Sequence, residues 1–306
     1  MRSAKINILL WATLFLVIFT NAVSAAPSVA IILSRDIIPY HQAVDGIRKA
    51  MPKVRFDQFV LSEDGTAEGS LLRELSEGTH DIIVAVGPEA LNLLKQVDTP
   101  SLRVFTMVLN PEKLFSGQPG FPGVSMNYPP PVMLSLIKKA FPGRGRVGIL
   151  YSPDLNTRLV GILQQEAECQ GLEIRPFPIH SAAGIRSTLQ TSGFDPDVLL
   201  FIPDQVIVKE KLINYIIEEC LFRKIPAVGF NQWFARSGAV IAFYLDYEEV
   251  GKQTGELAIR LLEEKTGASA GESPRSLKIV VNSKMAAKFD IHVSKEIILE
   301  AAKVIE

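Results

Sequence analysis

The chain has 306 residues with 32 basic and 33 acidic side chains, a net charge of −1, and 47% of its residues are apolar. That length allows two lobes of ordinary size, each with its own core. The near-neutral balance, with no basic run, excludes the electrostatic footprint that nucleic acid requires.

The first 25 residues read as a secretory signal. Arg2 and Lys5 form the positive end, Ile6 to Phe19 is an apolar run broken only by Asn7 and Thr13, and Val23-Ser24-Ala25 offers small residues for cleavage before Ala26-Pro27. The run is shorter than the roughly 20 residues of a spanning helix. No Cys follows it, so no lipid-attachment site is expected, and a free exported protein points to the periplasm of a two-membrane bacterium. Losing Arg2 and Lys5 leaves 30 basic against 33 acidic residues, a net charge of −3.

Strand-like runs then alternate with amphipathic segments. Val29 to Leu33 has the continuous apolar character of a buried parallel strand. A helix follows from Pro39 to Ala50, then a strand over Val54 to Leu61 and a helix over Ala67 to Ser76. Asp81 to Val86 is a third strand, ended by Gly87-Pro88, and a helix runs on to about Gln96. Leu102 to Leu109 and Gly123 to Met126 complete a first set of strands. The alternation implies right-handed crossovers and a parallel, doubly wound sheet.

The pattern starts again with a helix over Pro131 to Ala140 and a strand over Val147 to Tyr151. Asp154 and Asn156 stand ready to cap the next helix, which Gly171 ends. Strands over Leu172 to Phe177, Val198 to Ile202, Ala227 to Phe230 and Ala239 to Tyr244 follow. A long helix over Tyr247 to Glu264 shows Val250, Thr254, Leu257, Ala258, Leu261 and Leu262 on one face, and a further strand spans Leu277 to Val281. The expected fold class is therefore α/β, two doubly wound parallel-sheet lobes joined by a hinge that the chain crosses several times. The expected division is 26–126 plus 246–274 for the first lobe and 127–245 plus 275–306 for the second.

Cys169 and Cys220 each fall late in a helix, and those helices are expected on opposite faces of the second sheet. Two buried free thiols are expected rather than a disulfide. His41, His80, His180 and His292 are scattered without metal-ligand spacing, so neither a metal nor a cofactor is expected. There is no Gly-x-Ser-x-Gly elbow and no phosphate loop. Gly143-Arg144-Gly145-Arg146-Val147-Gly148 matches the dinucleotide pattern but precedes a strand, so it reads as a turn. With no nucleophile–base pair visible, the chain is expected to bind rather than catalyse.

Polar residues recur at the carboxyl ends of the strands, where open parallel sheets bind ligands. They are Ser34, Gly87, Asn110 and Asn127 in the first half, and Ser152, Asn156, Asp204, Asn231 and Tyr244 in the second. Each is also a good cap or turn former. Asp204 stands out, because a lone carboxylate after Leu199-Leu200-Phe201-Ile202-Pro203 suits a ligand amine.

These residues resemble the ABC-transporter substrate-binding family whose members bind tryptophan and related aromatic amino acids. The similarity is carried by Val147 to Pro153 with Asn156, by Phe201-Ile202-Pro203-Asp204, by Gly238 to Ala242 with Asp246-Tyr247 and Gly251-Lys252-Gln253, and by Asn282 to Ala286. It implies the periplasmic-binding-protein type I fold, three hinge crossings and closure around a small polar ligand, an amino acid or a similar molecule. It also implies an ABC permease in the inner membrane with its cytoplasmic ATPase as partners, the binding protein itself being a monomer. It gives Asp204 the role of binding the amine. The chain departs from the family where Gly87-Pro88-Glu89 replaces a small hydroxyl residue, Asn110-Pro111 replaces Asp-Pro, and Asp204-Gln205 replaces Asp-Asn. A sensory subunit passing its closure to a membrane signalling protein is the alternative on the same fold.

Overall fold

The computed structural model describes residues 26–62, 68–115, 120–207, 209–264 and 271–306. The signal read at 1–25 lies outside them. The first sheet is built from β1 (Ser28–Leu33), β2 (Arg55–Val60), β3 (Ile82–Val86), β4 (Leu102–Val108) and β5 (Gly123–Ser125). Between them run α1 (Ile38–Ala50), α2 (Glu68–Ser76), α3 (Pro88–Leu94) and α4 (Pro111–Phe115). The strand order is β2-β1-β3-β4-β5, all parallel. Every residue of β1 and β3 is buried, which is why both strands read as unbroken apolar runs. Val29, Ile31 and Leu33 face one apolar layer, and Ala30 and Ile32 the other.

The second sheet takes β6 (Arg146–Tyr151), β7 (Glu173–Pro178), β8 (Val198–Leu200), β9 (Ala227–Gly229), β10 (Ile241–Tyr244), β11 (Lys278–Asn282) and β12 (Lys303–Ile305). Its order is β12-β11-β10-β9-β8-β6-β7. Helices α5 (Pro130–Ala140), α6 (Pro153–Cys169), α7 (Ala182–Gln190), α8 (Glu210–Phe222) and α9 (Gln232–Arg236) connect its strands, and α11 (Ser283–Lys288) and α12 (Lys295–Glu300) follow β11. Edge position explains how β7 carries Pro176 and Pro178, since a proline cannot donate to a central ladder. The dinucleotide-like segment is a turn at the opposite end of the sheet from the strands' carboxyl ends. Gly143 has φ +81°, and the Gly145 N–H donates to the Asp197 carboxylate.

The long helix α10 (Tyr247–Glu264) leaves the second sheet and packs on the first, against α1. The contact is backbone to backbone. A Cβ on Gly251 would fall 1.9 Å from the Ala43 carbonyl oxygen, and one on Gly46 would fall 2.0 Å from that of Glu248. The Thr254 hydroxyl, fully buried on the same face, lies 2.8 Å from the Thr106 hydroxyl of β4. Val250, Leu257, Ala258 and Leu261 are buried beneath the helix, and each large side chain contributes about 1.5–3 kcal/mol.

Three expectations need correction. The second sheet is not wholly parallel, because β11 runs antiparallel to β10. Three short helices, α4, α11 and α12, and the strand β12 were not expected; pieces of three to six residues are too short to show a period. Cys169 and Cys220 are both free, but only Cys220 is buried. Cys169 lies two residues past Ala167, the last buried position of α6, and so faces outward.

Two outcomes follow from this packing. Burial pushes the Cys220 thiol up to about 12, so a thiol reagent at pH 8 should titrate one cysteine in the native protein and two after denaturation. Two native thiols would mean that the end of α8 opens. Gly251→Ala should destabilise the fold by about 1–3 kcal/mol in urea unfolding, because two backbones must move apart to admit one methyl group.

Candidate functional site

Three connections link the sheets, and each joins one carboxyl edge to the other. The first leaves the end of β5 and passes through residues 126–129 into α5, whose C-terminal end leads through the Gly143 turn to the start of β6. The second is Leu245 and Asp246, between the end of β10 and the start of α10. Because Gly251 meets Ala43 and Gly255 meets Ala50, α10 runs alongside α1 in the same direction and begins at the first sheet's carboxyl edge. The third passes through Glu272, which extends the first sheet beside β5: its N–H donates to the Gly123 carbonyl at 2.7 Å, and its carbonyl accepts from Ser125 at 2.9 Å. It then enters β11, where Lys278 pairs with Tyr244. The two carboxyl edges therefore share one cleft.

On the first lobe, Ser34 and Gly87 are neighbours. The Ser34 N–H bonds to the Val86 carbonyl, and its Oγ accepts from the Ala90 N–H at 2.8 Å, capping α3. Gly87 carries φ +96° as it turns the chain from β3 into that helix. A second pair is Asn110 with Asn127, whose Oδ1 accepts from the Asn110 N–H at 2.8 Å. Asn110 takes φ +50°, a conformation that asparagine tolerates. A bulge in β4 precedes it. Met107 has φ +58°, the register shifts between Thr106 and Val108, the Thr106 hydroxyl meets Thr254 of α10, and Met107 is buried in the larger apolar cluster.

On the second lobe, Ser152, Asn156 and Asp204 form one cluster. Asp204 is 3% exposed. Its Oδ2 accepts from the Ser152 N–H at 2.6 Å and from Asn156 Nδ2 at 2.8 Å, and its Oδ1 from the Val206 N–H at 2.9 Å. A carboxylate offers about four acceptor positions, so one stays free, and no lysine or arginine pairs with it among the described residues. Asn156 is not a cap. Helix α6 begins at Pro153, and the Asn156 amide reaches from its first turn to Asp204 and to the Pro203 carbonyl. Asn231 does cap α9, its Oδ1 accepting from the Trp233 N–H at 3.0 Å. Tyr244 closes β10 at the hinge, half-buried.

Aromatic residues that the strand-end rule overlooks complete the cleft. The Tyr128 hydroxyl, on the first connection, donates to the Phe230 carbonyl at 2.6 Å. Burial, with Tyr247 close by, raises this phenol far above its ordinary range. Trp233 is half-buried beside Phe234. Tyr40 stands in the first turn of α1, over Gly87. Its phenol is raised by burial and by Glu89, against the opposing effect of Arg35. Burial acts against the Glu89 charge, yet its backbone N–H, Arg35 and the Ser34 hydroxyl together hold its carboxyl below the usual value.

Comparison with known proteins agrees with this geometry. A tyrosine-binding protein of Clostridioides difficile (strain R20291) is 28% identical over 144 residues, 46% of this chain and 40% of that protein, so the chain spans less than half of the relative it matches. An open, ligand-free substrate binding protein with adhesive properties from Clostridium difficile superposes with a TM-score of 0.73 at 16% identity, over 92% of this chain and 99% of the other. A domain from Streptococcus pneumonia in complex with L-Trp gives a TM-score of 0.55 at 20% identity, over 92% and 100%. The fold is that of the type I periplasmic binding proteins, as the sequence leads one to expect. The model of the ABC transporter substrate binding protein family matches residues 67–305, and with the shared fold and two-lobed cleft this makes the chain a member of that family.

Proposed function

We propose that this chain is the periplasmic solute-binding component of an importer, which holds an amino acid between its lobes and delivers it to a membrane permease driven by a cytoplasmic ATPase. The observation that carries this reading is the joining of the two carboxyl edges by three short connections, with polar groups of both sheets along the cleft. Asp204 supports an amine ligand, being a buried carboxylate with one free acceptor position and no cationic partner among the described residues. Half-buried Trp233 on the second lobe suits an aromatic or apolar side chain. The tyrosine and tryptophan named for two similar proteins support the same class.

Capture of the ligand by this chain needs no bond-making. A ligand that touches both lobes gives the closed arrangement contacts that the open one lacks, and so shifts the balance between them. The protein works as a monomer, and the permease reads the closed form.

A thermal-shift screen of residues 26–306 against amino acids, nucleosides, sugars and organic acids tests the ligand class. A ligand at about 100 times its dissociation constant should add about 2.7 kcal/mol of stability. Stabilisation by amino acids is expected; stabilisation by sugars or nucleosides alone would overturn the class. Asp204→Ala should also weaken the empty protein by about 1–3 kcal/mol, since three donors lose their acceptor. The amine role is therefore read from Asp204→Asn, which keeps the shape and removes the charge. Its affinity should fall by about 2–5 kcal/mol, and unchanged affinity would remove Asp204 from the ligand's partners.

A further inference from the structure

Gly87 ends β3 on the floor of the first lobe, and the space that a side chain would need there is already taken. A Cβ at this position would lie 2.6 Å from the Tyr40 hydroxyl oxygen, 2.7 Å from the ring carbon that bears it, and 2.6 Å from Ser34 Oγ. The Tyr40 phenol, brought from the first turn of α1, thus stands where residue 87 would otherwise present a group to the cleft. Its neighbours are committed. Ser34 Oγ accepts from the Ala90 N–H at 2.8 Å, and the Arg35 guanidinium is paired with Glu89 at 2.9 Å. The Tyr40 hydroxyl itself makes no hydrogen bond among the described residues.

We infer that Tyr40 is the ligand-orienting residue of the first lobe, donating its phenolic hydrogen to the carboxylate of an amino acid whose ammonium is held by Asp204 on the second lobe. This rests on the reading of the chain as an amino-acid binder. Burial and the nearby Glu89 keep the phenol protonated at neutral pH, so it acts as a donor and suits an acceptor. Such a contact sets the direction in which the zwitterion lies across the cleft, with its negative end toward the first sheet and its positive end toward the second. It also couples two positions. A side chain introduced at 87 would have to displace the phenol.

The test uses calorimetric titration of residues 26–306 with L-tyrosine and L-tryptophan, and with tyramine and tryptamine, which lack the carboxylate. Tyr40→Phe should weaken binding of the amino acids about 10- to 100-fold, the value of a hydrogen bond to a charged group, while leaving the amines nearly unchanged. Gly87→Ser should produce a similar selective loss, and the double variant should lose little more than either alone. Thermal melts of the empty variants check that the fold is intact. Equal losses for amino acids and amines would overturn the orienting role, as would wild-type affinity in Tyr40→Phe. If the unaltered protein binds no amino acid, the importer's ligand class fails and this inference fails with it. If it binds one and Tyr40→Phe is silent, only this inference fails.

Discussion

The arrangement depends on the close approach of α1 and α10. Two helices whose backbones come this near need small residues at the crossing, and the chain supplies Ala43, Gly46, Ala50, Gly251 and Gly255. This contact takes a helix encoded after β10 of the second sheet and seats it on the first. Once α10 belongs there, the chain has to return through Glu272 to place β11, so the second and third connections follow from one packing interface. The direction of α10 matters equally. Because it runs alongside α1, its start lies at the carboxyl edge of the first sheet, and the chain arriving from the end of β10 holds the second sheet's carboxyl edge there too. The cleft is a consequence of how two helices touch.

Much of this was legible in the sequence, for identifiable reasons. β1 and β3 are buried on both faces, so their apolar runs are continuous. α10 is long enough for its period to show, and its expected bounds agree with the structure. What could not be read was orientation and fine registration. Nothing in Lys278–Asn282 says that the strand runs antiparallel, and nothing in Leu102–Val108 announces a bulge at Met107. The exposure of Cys169 is a matter of which face of α6 the residue occupies at its last turn. At the site, topology assigns the residues that follow each strand, and the structure gathers most of them into pairs and clusters. The partners are a different matter. A lone carboxylate at 204 is visible in the sequence, but its three N–H donors come from Ser152, Asn156 and Val206. Tyr40 escapes the rule because it sits in the helix after β1, and only its packing over Gly87 brings it to the edge.

If the lobes close on a ligand as proposed, the contacts of the third connection limit where they turn relative to each other. Gln253, buried on α10, uses its whole amide: Nε2 donates to Glu272 Oε2 at 2.9 Å and to the Ser273 carbonyl at 3.0 Å, and Oε1 accepts from the Arg275 N–H at 3.1 Å. Arg260 with Glu272, and Arg275 with Glu256, brace the same stretch at 2.5 Å. Residues 272–275 are thus bound to the first lobe, whereas Lys278 already pairs with β10 of the second. Only Ser276 and Leu277 lie between. In the second connection Asp246 caps α10, its Oδ1 accepting from the Glu248 and Glu249 N–H groups, so Leu245 alone separates that cap from β10. Rotation confined to so few residues moves each lobe as a body. The hydrogen bonds that fix Asp204 all come from its own lobe, so on the proposed reading the lobe carrying it need not be ordered on binding. Binding then loses little free energy to reorganisation, and ligands are discriminated by the fixed spacing between the two sheet edges rather than by adaptation of either one.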